Sequence, residues 1–387
     1  MHIKNLADRF IQSYGNGGDI RFFFSPGRVN LIGEHLDYNG GYVFPYAIDL
    51  GTYACVRKRN DTKINIISTN IDEKACIDLR NLEFNKEDDW ANYPKGVMYM
   101  LKKEGYALNG MDILISGNLP NGAGLSSSAS LEILMALIIS NLFNEGKIDK
   151  FTLIKAAHRA EGEYVGVNCG IMDQFAVCMG KKNSAILLHC GSLKHEYAKF
   201  LLGDYSLVIM NTNKQRNLNK SKYNERREEC GEALKIIKRN KNIGSLCNLT
   251  IENYEELESL IKDEGIRKRA KHVVYENDRV KRAYEYIRND KIEEFSKLLI
   301  ESHESLKNLY EVTGKELDTI VEEALAFESC IGAKMTGAGF GGCAIAIVLK
   351  DRVNDFIEKI GRKYRTEIGY YANFYLTGSG EGALEIF

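Results

Sequence analysis

The sequence predicts an α+β protein in two domains. Three observations carry that prediction. A chain of 387 residues is long for a single hydrophobic core and comfortable for two. Strand-like and helix-like runs occur in both halves, which is the α+β pattern. Near Tyr205 the texture changes from β-rich runs to long charged helical stretches, dividing the chain at 1–204 and 205–387.

The elements follow in order. Residues 1–10 lack the apolar core of a signal peptide and begin an amphipathic helix. Arg21 and three phenylalanines after it form a short buried strand. Asn39-Gly40 is expected to be a two-residue type I′ turn, because both central positions of that turn need φ > 0; residues 42–44 then return as the second strand. Isoleucine- and leucine-rich runs at 64–67, 113–115 and 185–188 read as further strands. One helix follows Leu125, and another runs from Thr152 to about Tyr164 with Leu153, Ala156, Ala157 and Ala160 on one side. Tyr205–Asn211 is a strand at the domain change. Residues 220–239 interleave Lys and Arg with Glu, the pattern of a solvated helix face. Helix continues to about Glu328, and strands at 343–349 and 371–376 close the chain.

Composition excludes several function classes. Hydrophobic residues at 44% and charged residues at 27% are ordinary for a soluble globular protein. A formal net charge of −1 gives no broad electrostatic footprint for nucleic acid or an anionic membrane. No apolar run reaches transmembrane length; Glu132, Ser140 and Asn141 interrupt the longest candidate. Nine cysteines with no Cys-x-x-Cys spacing point to reduced thiols in the cytoplasm rather than disulfides or structural zinc. The expectation is a cytoplasmic protein, a monomer or weak oligomer.

Three segments carry chemistry. Arg28, Glu34, His35 and Asp37 crowd into ten positions, a donor and acceptor set suited to the hydroxyls of a small polyol. A solvated hairpin tip is the alternative. In the second segment Gly122 and Gly124 permit close backbone approach, and Ser126, Ser127 and Ser128 open an apolar helix. Free N–H groups and the helix dipole make such a loop an anion site. It has no lysine, so it is not a Walker A loop. Third, Asp173 sits among Ile171, Met172 and Phe175, as a helix cap or a functional carboxylate. A fourth glycine-rich stretch, residues 337–342, leads into a strand-like run, which rules out a dinucleotide fold.

The first segment, Gly-Arg-Val-Asn-Leu-Ile-Gly-Glu-His-Leu-Asp-Tyr-Asn, resembles the signature of galactokinases, members of the GHMP family of small-molecule kinases. Only Leu36 departs in 13 positions, where most members carry Thr. The serine loop and the stretch from Lys334 to Gly342 resemble two further motifs of that family. The resemblance implies an N-terminal domain like domain 2 of ribosomal protein S5, a ferredoxin-like C-terminal domain, and an active site in the cleft between them. It implies transfer of the γ-phosphoryl of MgATP to the C1 hydroxyl of galactose, with ATP and Mg²⁺ as cofactors. By the same match Asp173 and Arg28 are catalytic, and Glu34, His35, Asp37, Gly170 and Tyr223 contact the sugar. Gly122, Ala123, Gly124, Leu125, Ser126, Ser127 and Ser128 cradle the nucleotide phosphates; Ser68 and Trp90 contact the rest of the nucleotide. Ser128 and Glu161 hold Mg²⁺. The readings left open are a kinase for N-acetylgalactosamine, arabinose or galacturonate, and a non-catalytic galactose and ATP sensor.

Overall fold

The computed structural model describes residues 3–120, 123–214 and 219–386, without the side chains of Ile3, Asn219 and Lys220. Gly122 therefore lies outside the described residues.

The first half contains α1 (Ile3–Tyr14), β1 (Ile20–Asn30), β2 (Tyr42–Val43), β3 (Pro45–Lys58), β4 (Lys63–Ser68), β5 (Lys74–Asp78), α2 (Asn92–Lys103) and β6 (Met111–Gly117). It continues with α3 (Ser127–Phe143), α4 (Lys150–Arg159), α5 (Met172–Met179), β7 (Ser184–His189) and β8 (Lys194–Lys199). The second half begins with β9 (Tyr205–Asn211), α6 (Asn219–Lys238), α7 (Ile251–Leu257), α8 (Glu264–Arg288) and α9 (Ile292–Ser305). It ends with α10 (Lys315–Leu325), β10 (Cys330–Thr336), β11 (Cys343–Leu349), α11 (Val353–Ile368), β12 (Asn373–Leu376) and β13 (Leu384–Ile386).

Two sheets organise these elements among the described residues. In the first the order is β13-β1-β3-β6-β4-β5, with β7 joining β2, β3 and β8. The second is β10-β11-β9-β12 and is antiparallel throughout. Against the first sheet packs α3, which is apolar on every side and buries Ile133, Leu134, Ala136, Ile138 and Ile139. A helix with no polar stripe belongs inside a core. Burial on all sides explains why β1 lacks alternation: eight consecutive residues from Phe23 to Asn30 are buried.

Several expectations change. Asn39-Gly40 is not a type I′ turn, because only Gly40 of the two has positive φ (69°). Tyr42–Val43 pairs with β7, and the strand that returns along β1 is β3, from Asn30↔Pro45 to Ile20↔Arg57. The cause is burial. Leu31, Ile32 and Leu36 are fully buried, so the intervening loop is anchored in the core and is not a solvated tip. β3, β5, β8, β10 and β13 were not expected, and β13 brings the end of the chain back to β1.

Candidate active site

One cavity of about 340 Å³ gathers the predicted segments. Strand β1 delivers Arg28 to it, buried to 4% exposure. The Arg28 Nη1 donates to Gly124 O at 2.8 Å, while Nε and Nη2 donate to Asp173 at 2.8 and 2.6 Å. A fork of parallel N–H donors fixes both position and angle of a carboxylate. Asp173 lies in the first turn of α5, where the helix dipole also favours negative charge.

Ser126 is the N-cap residue of α3, but its hydroxyl does not cap the helix. It donates instead to Asp173 Oδ2 at 2.7 Å. Among the described residues no side chain caps α3, which leaves its first N–H groups for another acceptor, the arrangement an anion requires. Ser126, His35 and Phe340 have φ of 63°, 63° and 56° and all line the cavity. Left-handed backbone at a non-glycine residue costs about 1–3 kcal/mol, and such strain clusters at functional sites.

Ser128 donates to Glu161 Oε1 at 3.0 Å, and both line the cavity. Beneath them, the Gln174 amide donates to Glu161 Oε2 at 2.7 Å and to Glu132 Oε2 at 2.9 Å. Burial, then the charge of Asp173, pushes the Glu161 carboxyl above its ordinary range. Burial, then Glu161, pushes Glu132 up further. A hard divalent cation suits this donor set: one hydroxyl and one carboxylate oxygen beside crowded negative charge, with phosphates supplying the rest. Among the described residues no group of three or more His, Cys, Asp and Glu is gathered to hold a metal, so any cation here has few protein ligands.

Glu34, His35, Asp37 and Tyr223 line the same cavity. Burial, with His272 next, lowers the His35 pKa to about 3, so the imidazole is neutral at ordinary pH. Its Nδ1 pairs with the Tyr38 hydroxyl at 2.9 Å, which in turn meets the Tyr310 hydroxyl at 2.7 Å. Tyr223, from α6, packs its ring 5.8 Å from that of His35. Burial, then Asp173, raises the Asp37 pKa to about 6. Gly170 is needed beside it: a Cβ there would fall 1.9 Å from Asp37 Oδ2. Gly337, Ala338, Gly339 and Phe340, between β10 and β11, close the cavity from the second half.

Not every expected residue reaches this cavity. Ala123 and Leu125 are buried and pack in the core; Leu125 O accepts from Arg28 N at 3.2 Å. Ser68 ends β4, where its Oγ accepts from Asn70 N, and Trp90 is half-buried against the core; neither lines the cavity. Leu36 is fully buried and faces the core. Sequence reasoning assigned Ser126 to phosphate and missed its bond to Asp173. It also missed Gln174, Glu132 and Lys334, of which Gln174 and Lys334 lay in the motif stretches. Buried polar partners of this kind have no periodic signature.

Comparison with known proteins identifies the family. Residues 8–58 match the galactokinase galactose-binding signature, 92–181 the GHMP kinases N terminal domain, and 283–366 the GHMP kinases C terminal. The chain is 58% identical to a galactokinase of Clostridium tetani over 386 residues, covering 100% of this chain and 98% of that one. It is 49% identical to a galactokinase of Bacillus subtilis, covering 99% of each. Among solved structures, Lactococcus lactis galactokinase complexed with galactose superposes with a TM-score of 0.96 at 45% identity, covering 99% of this chain and 100% of that one. Methanococcus jannaschii mevalonate kinase shares the fold, with a TM-score of 0.65 at 21% identity, covering 95% of this chain and 99% of that one. The chain belongs to the galactokinase family of the GHMP kinases.

Proposed function

We propose that the protein transfers the γ-phosphoryl group of MgATP to the C1 hydroxyl of galactose, giving galactose 1-phosphate and ADP. The observation that carries the reading is the convergence of Arg28, Ser128, Glu161 and Asp173 on one cavity with Glu34, His35 and Asp37. Phosphoryl transfer needs positioning and charge stabilisation more than covalent chemistry, because its transition state is loose. The uncapped first turn of α3 and the serine loop receive the nucleotide phosphates. Ser128 and Glu161 hold Mg²⁺, which supplies charge neutralisation at the phosphates when bound. Arg28 and Ser126 hold Asp173 with three donor atoms, so its carboxylate is aimed before substrate arrives. Asp173 aligns the sugar hydroxyl and accepts its proton; Arg28 offsets the negative charge that develops. Glu34, His35, Asp37 and Tyr223 read the other hydroxyls, with His35 neutral. Residues 1–204 and 205–387 act as the two walls of the cleft, with β13 tying the tail back to β1.

A coupled ADP-release assay across hexoses, with and without Mg²⁺, tests the reading. Galactose with Mg²⁺ gives the highest kcat/KM. A higher value for another sugar, or sugar-dependent ATP binding without ADP formation, overturns it.

A further inference from the structure

Lys334 is fully buried on β10, directly behind the cavity. Lysine is almost never fully buried unless paired. Its Nζ lies 2.5 Å from Glu34 Oε2 and donates to Met335 O at 2.7 Å. Glu34 is also fully buried; beyond that ion pair neither carboxylate oxygen has a hydrogen-bond partner in another residue among the described residues, although the side chain lines the cavity. Two groups from α8 grip the same stretch of backbone. Glu276 Oε1 accepts from Gly33 N at 3.0 Å, and His272 Nε2 meets Glu34 O at 3.3 Å. The second half of the chain therefore sets both the place and the charge of a residue contributed by the first.

We infer that Lys334 is a positioning residue for sugar recognition: its buried ammonium holds Glu34 as an oriented carboxylate whose free oxygen accepts a sugar hydroxyl. This rests on the reading of Glu34 as a sugar contact. An apolar pocket disfavours a carboxylate, and a protonated Glu34 could rotate to donate rather than accept. The charged and titratable groups facing Glu34 are few. Lys334 comes from β10, and Glu276, His272 and Arg279 come from α8; His303, from α9, lies beside Lys334. Both histidines are held neutral by burial, with pKa values near 4 and about 3. Glu276 is engaged by Arg279 at 2.7 Å and Ser302 at 2.6 Å. Burial already holds the Glu34 carboxyl above its ordinary range; Lys334 is the cation that opposes this, and removing it moves the Glu34 titration further upward.

The test is Lys334→Met in the full chain, with steady-state kinetics against pH. Galactose KM rises at least about ten-fold near pH 7, ATP KM stays within about three-fold, and the excess of galactose KM over the parent shrinks as pH rises and Glu34 ionises. A galactose KM within about two-fold of the parent, or a rise that is equal at every pH, overturns the inference. Should Lys334→Met fail to fold, Lys334→Arg decides: the inference requires a near-parental galactose KM with the parent's own pH profile, and a pH-independent loss greater than about ten-fold contradicts it. Glu34→Gln separates the two levels of the argument. If it leaves galactose KM unchanged, the reading of Glu34 itself fails; if it raises KM while Lys334→Met does not, only the role of Lys334 fails.

Discussion

Gly170→Ala is the sharpest probe of the sugar side of the cavity. Gly170 does not have positive φ, so an added methyl introduces no backbone strain of its own. What it meets is Asp37: Oδ2 at 1.9 Å, Cγ at 2.2 Å and Cβ at 2.7 Å. Bringing the nearest of these to an ordinary 3.4 Å contact requires the carboxylate to retreat by about 1.5 Å. Rotating the carboxylate cannot achieve this, because Asp37 Cβ is itself too close. Misplacing a positioning group by about 1 Å costs on the order of 10²-fold. Galactose kcat/KM should therefore fall about 10²-fold, equivalent to about 2.7 kcal/mol of lost transition-state stabilisation. Steady-state kinetics with galactose and ATP varied separately gives the answer, with ATP KM unchanged. A galactose kcat/KM within about three-fold of the parent would refute the placement of Asp37 as a sugar contact.

Four further predictions concern charge. Asp173→Asn should lower kcat by about 10²–10⁴-fold while leaving nucleotide affinity intact, measured by ADP release and by fluorescence titration; near-parental turnover would remove its role. Glu161→Gln should weaken Mg²⁺-dependent nucleotide binding in a calorimetric titration, and an unchanged Mg²⁺ dependence would count against it. Asp37 has a folded pKa of about 6, raised by burial and then by Asp173 above its ordinary 3.8. Its favourable contribution to stability is present below about pH 4 and lost as pH rises through about 6. Asp37→Asn should thus raise the Tm near pH 8, by no more than about 3 kcal/mol in stability, with the gain vanishing near pH 4. Galactose KM in the parent should climb as pH falls below about 6, because a protonated Asp37 is a weaker acceptor for a sugar hydroxyl.

Local sequence made part of this legible. The crowding of Arg28, Glu34, His35 and Asp37 identifies a polar recognition segment without any structure. The largely apolar helix after the serines also reads directly. What sequence hid is mostly non-local. The Arg28–Asp173 pair spans 145 positions, and nothing near either residue names its partner. Asn39-Gly40 carries the local signature of a tight hairpin, yet burial of Leu31, Ile32 and Leu36 imposes a wider loop. Tertiary packing overrides turn preference there. Ser126 looked like a helix cap because serine favours that place; its hydroxyl turned instead to a stronger, charged acceptor. Lys334 sits in a strand whose burial pattern is continuous, where a lysine would ordinarily mark the exposed face. The substitution at Leu36 falls on a core position, so its neighbours Glu34, His35 and Asp37 reach the cavity independently of it.

The most direct measurement is ³¹P NMR of the protein incubated with galactose and MgATP. The account predicts a sugar phosphate resonance coupled to the anomeric proton, growing in step with ADP and absent without Mg²⁺. Phosphate on another carbon, or ADP appearing with no sugar phosphate, would contradict it.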